Sequence, residues 1–135
     1  MNLLLAILFV LFPPENKIKI ENAWVRPSLQ NMGTALYFTV ENNSSEADTL
    51  FAVDSDISDK IELHETYSEG DMMGMRKVDF IIVDGKSSFE FKPGGYHIMV
   101  MKLKKDINNG DKENFILHFK QAGVISISAS AEKQK

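Results

Sequence analysis

The sequence contains no cysteine among its 135 residues. This absence excludes disulfide bonds, cysteine-ligated zinc, iron–sulfur clusters, thiol catalysis and thiolate-bound copper. Basic charge is also too scarce for a nucleic-acid partner, because 15 Lys and Arg against 19 Asp and Glu leave a formal net charge of -4. The soft donor atoms that remain are the thioether sulfurs of seven methionines.

The N-terminal apolar stretch is too short for a transmembrane helix. It runs from Leu3 to Phe12, about half of a helical membrane span, and ends at Pro13-Pro14. This length is typical of a signal-peptide core, although no Lys or Arg precedes it and no small-x-small cleavage site follows it. We therefore expect residues 1–14 to be a signal peptide or its remnant, and the protein to be periplasmic or otherwise exported. A buried N-terminal strand and an uncleaved anchor are the alternatives.

Residues 15–135 are predicted to form a single domain. A content of 44% hydrophobic and 25% charged residues is that of a soluble globular protein with one core. After Lys17, apolar residues recur with period two in short runs rich in Val, Ile, Phe, Tyr and Thr, which predicts β-strands. The predicted strands are Ile18–Val25, Thr34–Glu41, Thr49–Asp54, Lys60–Tyr67, Val78–Val83, Ser87–Lys92, Tyr96–Leu103, Asn114–Lys120 and Val124–Ala129.

Nine short strands at this spacing predict an all-β fold, a Greek-key sandwich or barrel. The most secure pairing is expected between Val78–Val83 and Ser87–Lys92, because the intervening Asp84-Gly85 is typical of a two-residue hairpin turn with positive φ. Trp24 and Arg26 are expected to close one end of the fold.

Two histidines are predicted to point away from the core. In Lys60–Tyr67, alternation places His64 opposite to the face of its apolar neighbours, and in Tyr96–Leu103 it places His97 and Met99 together on the non-core face. Methionine is unusual on a solvated strand face, so these side chains call for a functional explanation. His118 has the same outward position in its strand and is expected to be an ordinary surface histidine.

Three further methionines lie between these two strands. Met72, Met73 and Met75 fall in the glycine-flanked segment Glu69–Met75, which is predicted to be a loop. Such flexible side chains often fill gaps beneath a loop. Thioethers are also soft neutral ligands, and combined with imidazole they suit Cu(I) and suit Mg²⁺ or Ca²⁺ poorly. One donor from a strand, one from the loop and two from another strand are expected to converge at the rim of the fold.

The spacing of these donors resembles that of a known family. His64, Met75, His97 and Met99 match the pattern H-x10-M-x21-H-x-M of the periplasmic copper(I) chaperones of the PCu(A)C type. That family is associated with delivery of copper to the CuA centre of cytochrome oxidase. Other segments of the sequence are also similar to that family: Ala23–Arg26, Gly33–Glu41 and Pro93–Met101. The resemblance extends from about Ile18 to Ala129.

The resemblance implies a cupredoxin-like β-sandwich that binds Cu(I) through His64, Met75, His97 and Met99. It implies a monomeric carrier without catalytic activity. The acceptor would be a cytochrome oxidase CuA subunit or a Sco-type thioredoxin-like protein. Met72, Met73 and Met101 lie outside the pattern and are expected to be a soft apolar surround.

Two other functions remain open. A secreted β-sandwich interaction module would use the Met and His cluster as a contact patch without a physiological metal. A copper hydrolase or oxidase would need a substrate cavity. A blue-copper electron carrier is disfavoured, because its site uses a cysteine ligand.

Overall fold

A computed structural model describes residues 17–133, and every regular element within that range is a β-strand. The ten strands are β1 Ile18–Val25, β2 Thr34–Asn42, β3 Asp48–Asp54, β4 Lys60–Glu69, β5 Met72–Val78, β6 Ile81–Val83, β7 Ser87–Glu90, β8 Tyr96–Met101, β9 Lys112–Phe119 and β10 Gly123–Ala131. The all-β prediction is confirmed, with ten strands in place of nine. The predicted signal segment, residues 1–14, lies outside the described residues.

The strands follow one continuous path of hydrogen-bonded neighbours, β5-β4-β8-β2-β1-β10-β9-β3-β6, with β7 also paired to β2. Adjacent strands are antiparallel except β1 and β10, which are parallel. The path folds over on itself as a cupredoxin-like sandwich, because one apolar core contains side chains from both of its ends. Leu63 of β4 and Ile81 of β6 belong to the same buried cluster.

Alternation of apolar residues decides which face of each strand is buried. In β9, Phe115, Leu117 and Phe119 point into the core, and in β8 Ile98 and Val100 do so. Burial of these side chains is the main stabilising contribution to the fold. It also fixes the residues between them on the outer face of the sheet.

The predicted hairpin across Asp84-Gly85 is wrong. Strand β6 pairs with β3, and β7 pairs with β2, so the two segments belong to different parts of the sandwich. The positive φ of this turn, 55°, falls on Lys86 rather than Gly85. Glycine is required at 85 for space, because an added Cβ would lie 2.5 Å from the carbonyl oxygen of Ser45.

The predicted methionine loop is also wrong, because Met72–Val78 is strand β5. It pairs with β4 in an unbroken antiparallel register as far as Glu69 opposite Met72. The turn between them contains Gly70 with a φ of 61°, a left-handed conformation that glycine adopts without strain. Met75 is therefore held in register by the sheet. Residues 17–133 contain no helix that is both long enough and apolar enough to cross a membrane.

Candidate metal centre

Three neighbouring strands carry the four predicted ligands on one face of the sheet. Strand β4 lies between β5 and β8 in the strand order. Because Leu63 and Ile98 point into the core, their chain neighbours His64 and His97 point to the outer face. Met75 of β5 and Met99 of β8 lie on this same face by register and alternation.

The strand register brings the two imidazoles together. His64 is directly opposite His97 in the β4–β8 ladder, and their ring centroids are 5.6 Å apart. Met75 pairs with Thr66, two residues along β4 from His64, so it is a diagonal neighbour of that histidine. Met99 follows His97 by two residues on the same face. The structure thus assembles the four side chains into one continuous area.

A cleft of about 320 Å³ opens at this area. Met75, His97 and Met99 lie on its walls, whereas His64 lies behind the wall with its ring against His97. The remaining lining residues come from the segment after β1, from the first half of β2, from β4 and from the turn before β8: Arg26, Pro27, Gly33, Thr34, Ala35, Tyr37, Thr66, Pro93 and Gly94.

The segment after β1 forms a firmly held wall of the cleft. The backbone N–H of Asn31 donates to the carbonyl of Leu103 at 2.7 Å, and that of Ser28 donates to the carbonyl of Ile107 at 3.0 Å. At the end of this wall, a Cβ added to Gly33 would lie 3.3 Å from the methyl carbon of Met99. The missing side chain at 33 leaves space for the Met99 thioether.

The Pro93-Gly94-Gly95 turn orients His97. Nδ1 of His97 lies 3.4 Å from the carbonyl oxygen of Gly95, which can only accept, so Nδ1 carries the proton. The other nitrogen, Nε2, is buried and has no partner among residues 17–133. Burial lowers the pKa of His97 below its ordinary value of 6.5. The hydrogen bond to the Gly95 carbonyl offsets part of this effect, and the charges of His64 and Arg26 add smaller lowering effects. The free ring is therefore neutral at neutral pH, with a lone pair on Nε2.

Glu62 orients His64 in the complementary way. Nε2 of His64 lies 3.0 Å from Oε1 of Glu62, and this hydrogen bond is the main reason why the pKa of Glu62 is lowered. Nδ1 of His64 is buried, and no group in the part of the chain that the structure describes is its partner. Lys77, which is opposite His64 in the β4–β5 ladder, lies 3.8 Å from the other carboxylate oxygen of Glu62.

These unpartnered nitrogens are the feature that fits a metal. Leaving a buried polar atom without a partner costs about 1–3 kcal/mol, so native structures seldom contain two side by side without a function. In each ring, one nitrogen is hydrogen-bonded to a protein acceptor and the other is free. This is the arrangement of a metal-binding histidine with a supporting acceptor. With two thioethers nearby, the donor set suits a soft monovalent ion.

The four side chains differ greatly in exposure. His97 is only 4% exposed, in contrast to the expectation of an open rim site, because the Arg26–Gly33 segment and the Pro93–Gly95 turn cover its face of the sheet. The side chain of His64 is 15% exposed and Met99 is half-buried. Met75 is 61% exposed.

The sequence patterns assign no role at the site to three residues of this region. Glu62 is two residues from His64 in the same strand, so period-two alternation places both side chains on the outer face. That alternation is the signal from which Glu62 could have been found. Arg26 and Tyr37 reach the cleft only through the packing of β1 and β2, and no local pattern indicates it. Trp24 is buried against Tyr37, with ring centroids 4.7 Å apart, and so supports the cleft from below.

The remaining sequence candidates lie outside the set of four ligands. His118 is on the outer face of β9, where its Nε2 is 2.7 Å from a carboxylate oxygen of Asp54. Met101 shares the face of Met99 but pairs with Lys60, farther from the histidines. Met72 and Met73 are at the tip of the β4–β5 hairpin and are 75% and 74% exposed.

The family is decided by the extent of sequence similarity. Residues 18–131, from the first residue of β1 to the last of β10, match the profile of the family described as "Putative lipoprotein LpqE-like". The chain belongs to the LpqE-like family. Curated relatives of this LpqE-like chain are "Uncharacterized protein RP573" of Rickettsia prowazekii (strain Madrid E), 32% identical over 114 residues, and "Putative lipoprotein Lxx21020" of Leifsonia xyli subsp. xyli (strain CTCB07), 32% identical over 104 residues.

These alignments cover 81% and 76% of the LpqE-like chain but only 63% and 61% of the two relatives. The chain therefore spans about three fifths of the length of the curated proteins that it matches.

Solved structures of PCuAC domains share the fold. The copper-bound PCuAC domain from PmoF2 superposes with a TM-score of 0.75 at 28% identity, covering 86% of the LpqE-like chain and 92% of that domain. Apo-DR1885 from Deinococcus radiodurans superposes with a TM-score of 0.67 at 21% identity, covering 90% of this chain and 85% of that one. The resemblance to PCu(A)C-type chaperones and the cupredoxin-like fold are confirmed.

Proposed function

We propose that this protein binds one Cu(I) ion through His64, Met75, His97 and Met99 and passes it to a partner protein. The observation that carries the proposal is the pair of buried, unpartnered imidazole nitrogens, Nδ1 of His64 and Nε2 of His97, beside two thioethers. The copper-bound state of the similar PmoF2 domain supports the choice of metal.

The chemistry of the donors favours Cu(I) over harder ions. All four donors are neutral, and two of them are soft thioethers, which bind Cu(I) much better than Zn²⁺, Mg²⁺ or Ca²⁺. The hydrogen bonds that the rings donate to Glu62 and to the Gly95 carbonyl hold each ring in the tautomer that presents a lone pair to the metal. Cu(I) is cargo here, and the protein acts as a carrier rather than a catalyst.

Transfer would proceed by ligand exchange toward a partner with stronger, thiolate ligands. We propose a CuA subunit of cytochrome oxidase or a Sco-type protein as that acceptor, on the basis of the family resemblance. Names of relatives that include the word lipoprotein support an exported location, which suits such a partner. Mixing the Cu(I)-loaded protein with a metal-free CuA domain, followed by separation and copper analysis, tests the acceptor.

The metal itself is tested by anaerobic titration of Cu(I) against a chromophoric chelator. We expect one Cu(I) per chain, loss of tight binding in the His64→Ala/His97→Ala double variant, and unchanged binding in His118→Ala. Circular dichroism of each variant shows whether the fold is kept. Zinc binding as tight as copper binding would contradict the Cu(I)-selective site. No copper binding by the folded wild type would instead favour the metal-free interaction module.

A further inference from the structure

We propose that Met73 is an exchange ligand that takes up Cu(I) beside Met75 as the ion enters or leaves the site. The inference rests on the proposed copper-carrier function and adds a route to it. The route runs along the outer edge of β5 to the tip of the β4–β5 hairpin. It assigns a role to an exposed methionine outside the four-residue pattern.

Exposure indicates the side from which the ion is exchanged. Ligand exchange needs an incoming donor to reach the metal. His97 is 4% exposed and the His64 side chain 15%, whereas Met75 is 61% exposed on a strand at the end of the strand order. The buried histidines are therefore the last ligands to dissociate from Cu(I), and an incoming donor first reaches the ion beside Met75.

Register places Met73 on this route. Met73 pairs with Ser68 and Met75 pairs with Thr66, so the two methionines are successive residues on one face of β5. Their Cα atoms are roughly 7 Å apart, given the rise of a strand, and both side chains are long and flexible. A Cu(I) ion held by Met75 is thus within reach of the Met73 sulfur.

The opposite face of β5 is occupied by other groups. Gly74 lies against the Tyr67 ring, since an added Cβ would be 2.7 Å from it, and the Arg76 guanidinium packs 4.8 Å from the centre of the same ring. Met72 shares this opposite face by alternation. Met72 and Met73 therefore have the same side chain and nearly the same exposure, but only Met73 faces the candidate metal centre.

The chemistry of the step is balanced. Cu(I) keeps its oxidation state, one thioether bond forms as another metal–ligand bond breaks, and no proton moves because a thioether carries none. The Met73 thioether is neutral and binds Cu(I) only weakly. It lowers the free-energy barrier for Cu(I) to leave the buried ligands without raising the equilibrium affinity of the site.

The matched variants Met73→Leu and Met72→Leu test the proposal, since leucine keeps the apolar volume and removes the sulfur. Each Cu(I)-loaded protein is mixed with excess bathocuproine disulfonate in a stopped-flow instrument. We expect Met73→Leu to keep the equilibrium affinity and to release copper several-fold more slowly, and Met72→Leu to match the wild type. A second readout is the ¹³C-methyl NMR signal of each methionine during Cu(I) titration, where Met73 should broaden or shift and Met72 should not.

Equal release rates in the two variants would overturn the exchange role while leaving the carrier function intact. Loss of equilibrium affinity in Met73→Leu as large as that in Met75→Leu would make Met73 a resident ligand and would also overturn it. Failure of the wild type to bind Cu(I) would refute the carrier function itself, and the exchange role with it.

Discussion

Glu62 accepts a hydrogen bond from Nε2 of His64 at 3.0 Å, and the two residues stand two positions apart on the outer face of β4. The contact leaves Nδ1 as the only nitrogen of His64 that is free for a metal. In metal sites such a carboxylate fixes the ring orientation and raises the basicity of the ligand. Glu62 is therefore a positioning residue of the candidate centre.

Replacing Glu62 should weaken copper binding without removing a ligand. We expect Glu62→Leu to lower the Cu(I) affinity by roughly 10–100-fold, the usual effect of losing the acceptor behind a metal-binding histidine. Glu69→Leu, an exposed position at the end of the same strand, is the matched control and should leave the affinity unchanged. Competition with a Cu(I) chelator measures both, and equal affinities in the two variants would refute a positioning role.

Met99 and Met101 provide a second matched pair, because both are half-buried and point to the outer face of β8. Only Met99 lines the cleft with His97. Met99→Ala should therefore weaken Cu(I) binding much more than Met101→Ala does. The same chelator competition decides this, and losses of similar size would mean that the four-residue set is wrong.

Gly85 should tolerate no side chain, although its φ is not left-handed. A Cβ there would lie 2.5 Å from the backbone oxygen of Ser45, which cannot move without shifting the chain. We expect Gly85→Ala to lower the free energy of unfolding by about 1–3 kcal/mol, the usual cost of overpacking. Gly95→Ala, where the nearest atom is 3.4 Å away on the flexible Lys92 side chain, should cost less. Urea unfolding of both variants is the measurement, and equal losses would contradict the steric account.

Asp48 is a buried carboxylate that ties β3 to the β9–β10 turn. Its Oδ1 accepts from the backbone N–H groups of Thr49 and Gln121, and its Oδ2 accepts from that of Ala122. Asp48→Ala should lower the free energy of unfolding by about 1–3 kcal/mol, because three part-buried N–H groups lose their acceptor.

Asp56→Ala is the control for Asp48, since Asp56 is exposed, and its effect should stay within about 0.5 kcal/mol. Chemical denaturation followed by tryptophan fluorescence compares the two variants. If Asp48→Ala is as stable as Asp56→Ala, the three hydrogen bonds between the Asp48 carboxylate and backbone N–H groups make no measurable contribution to the free energy of unfolding.

The sequence by itself determined the fold class and the faces of the strands that matter most. Period-two alternation is a local property, because successive side chains of any strand point to opposite sides. It therefore placed Leu63 and Ile98 in the core and His64, His97 and Met99 on the other face before any strand was paired. The four-residue spacing then identified the family, and that identification is confirmed by the family match and the PCuAC structures.

Predictions from local turn composition were wrong where long-range strand pairing decided the structure. Asp84-Gly85 has the composition of a tight hairpin, but β6 and β7 gain more by completing the core beside β3 and β2. The segment Met72–Val78 lacks apolar alternation, so its first half is predicted as a loop. Within residues 17–133 it is an exposed edge strand whose only strand partner is β4.

Only the tertiary structure decided the environment of the candidate centre. The position of β4 between β5 and β8 sets His64 against His97, and the Arg26–Gly33 segment and Pro93–Gly95 turn bury the latter. These contacts join residues far apart in the chain, so no local pattern contains them. Burial then leaves two imidazole nitrogens without a partner among the described residues. That property depends on what surrounds each ring, since a nitrogen exposed to water always has a partner.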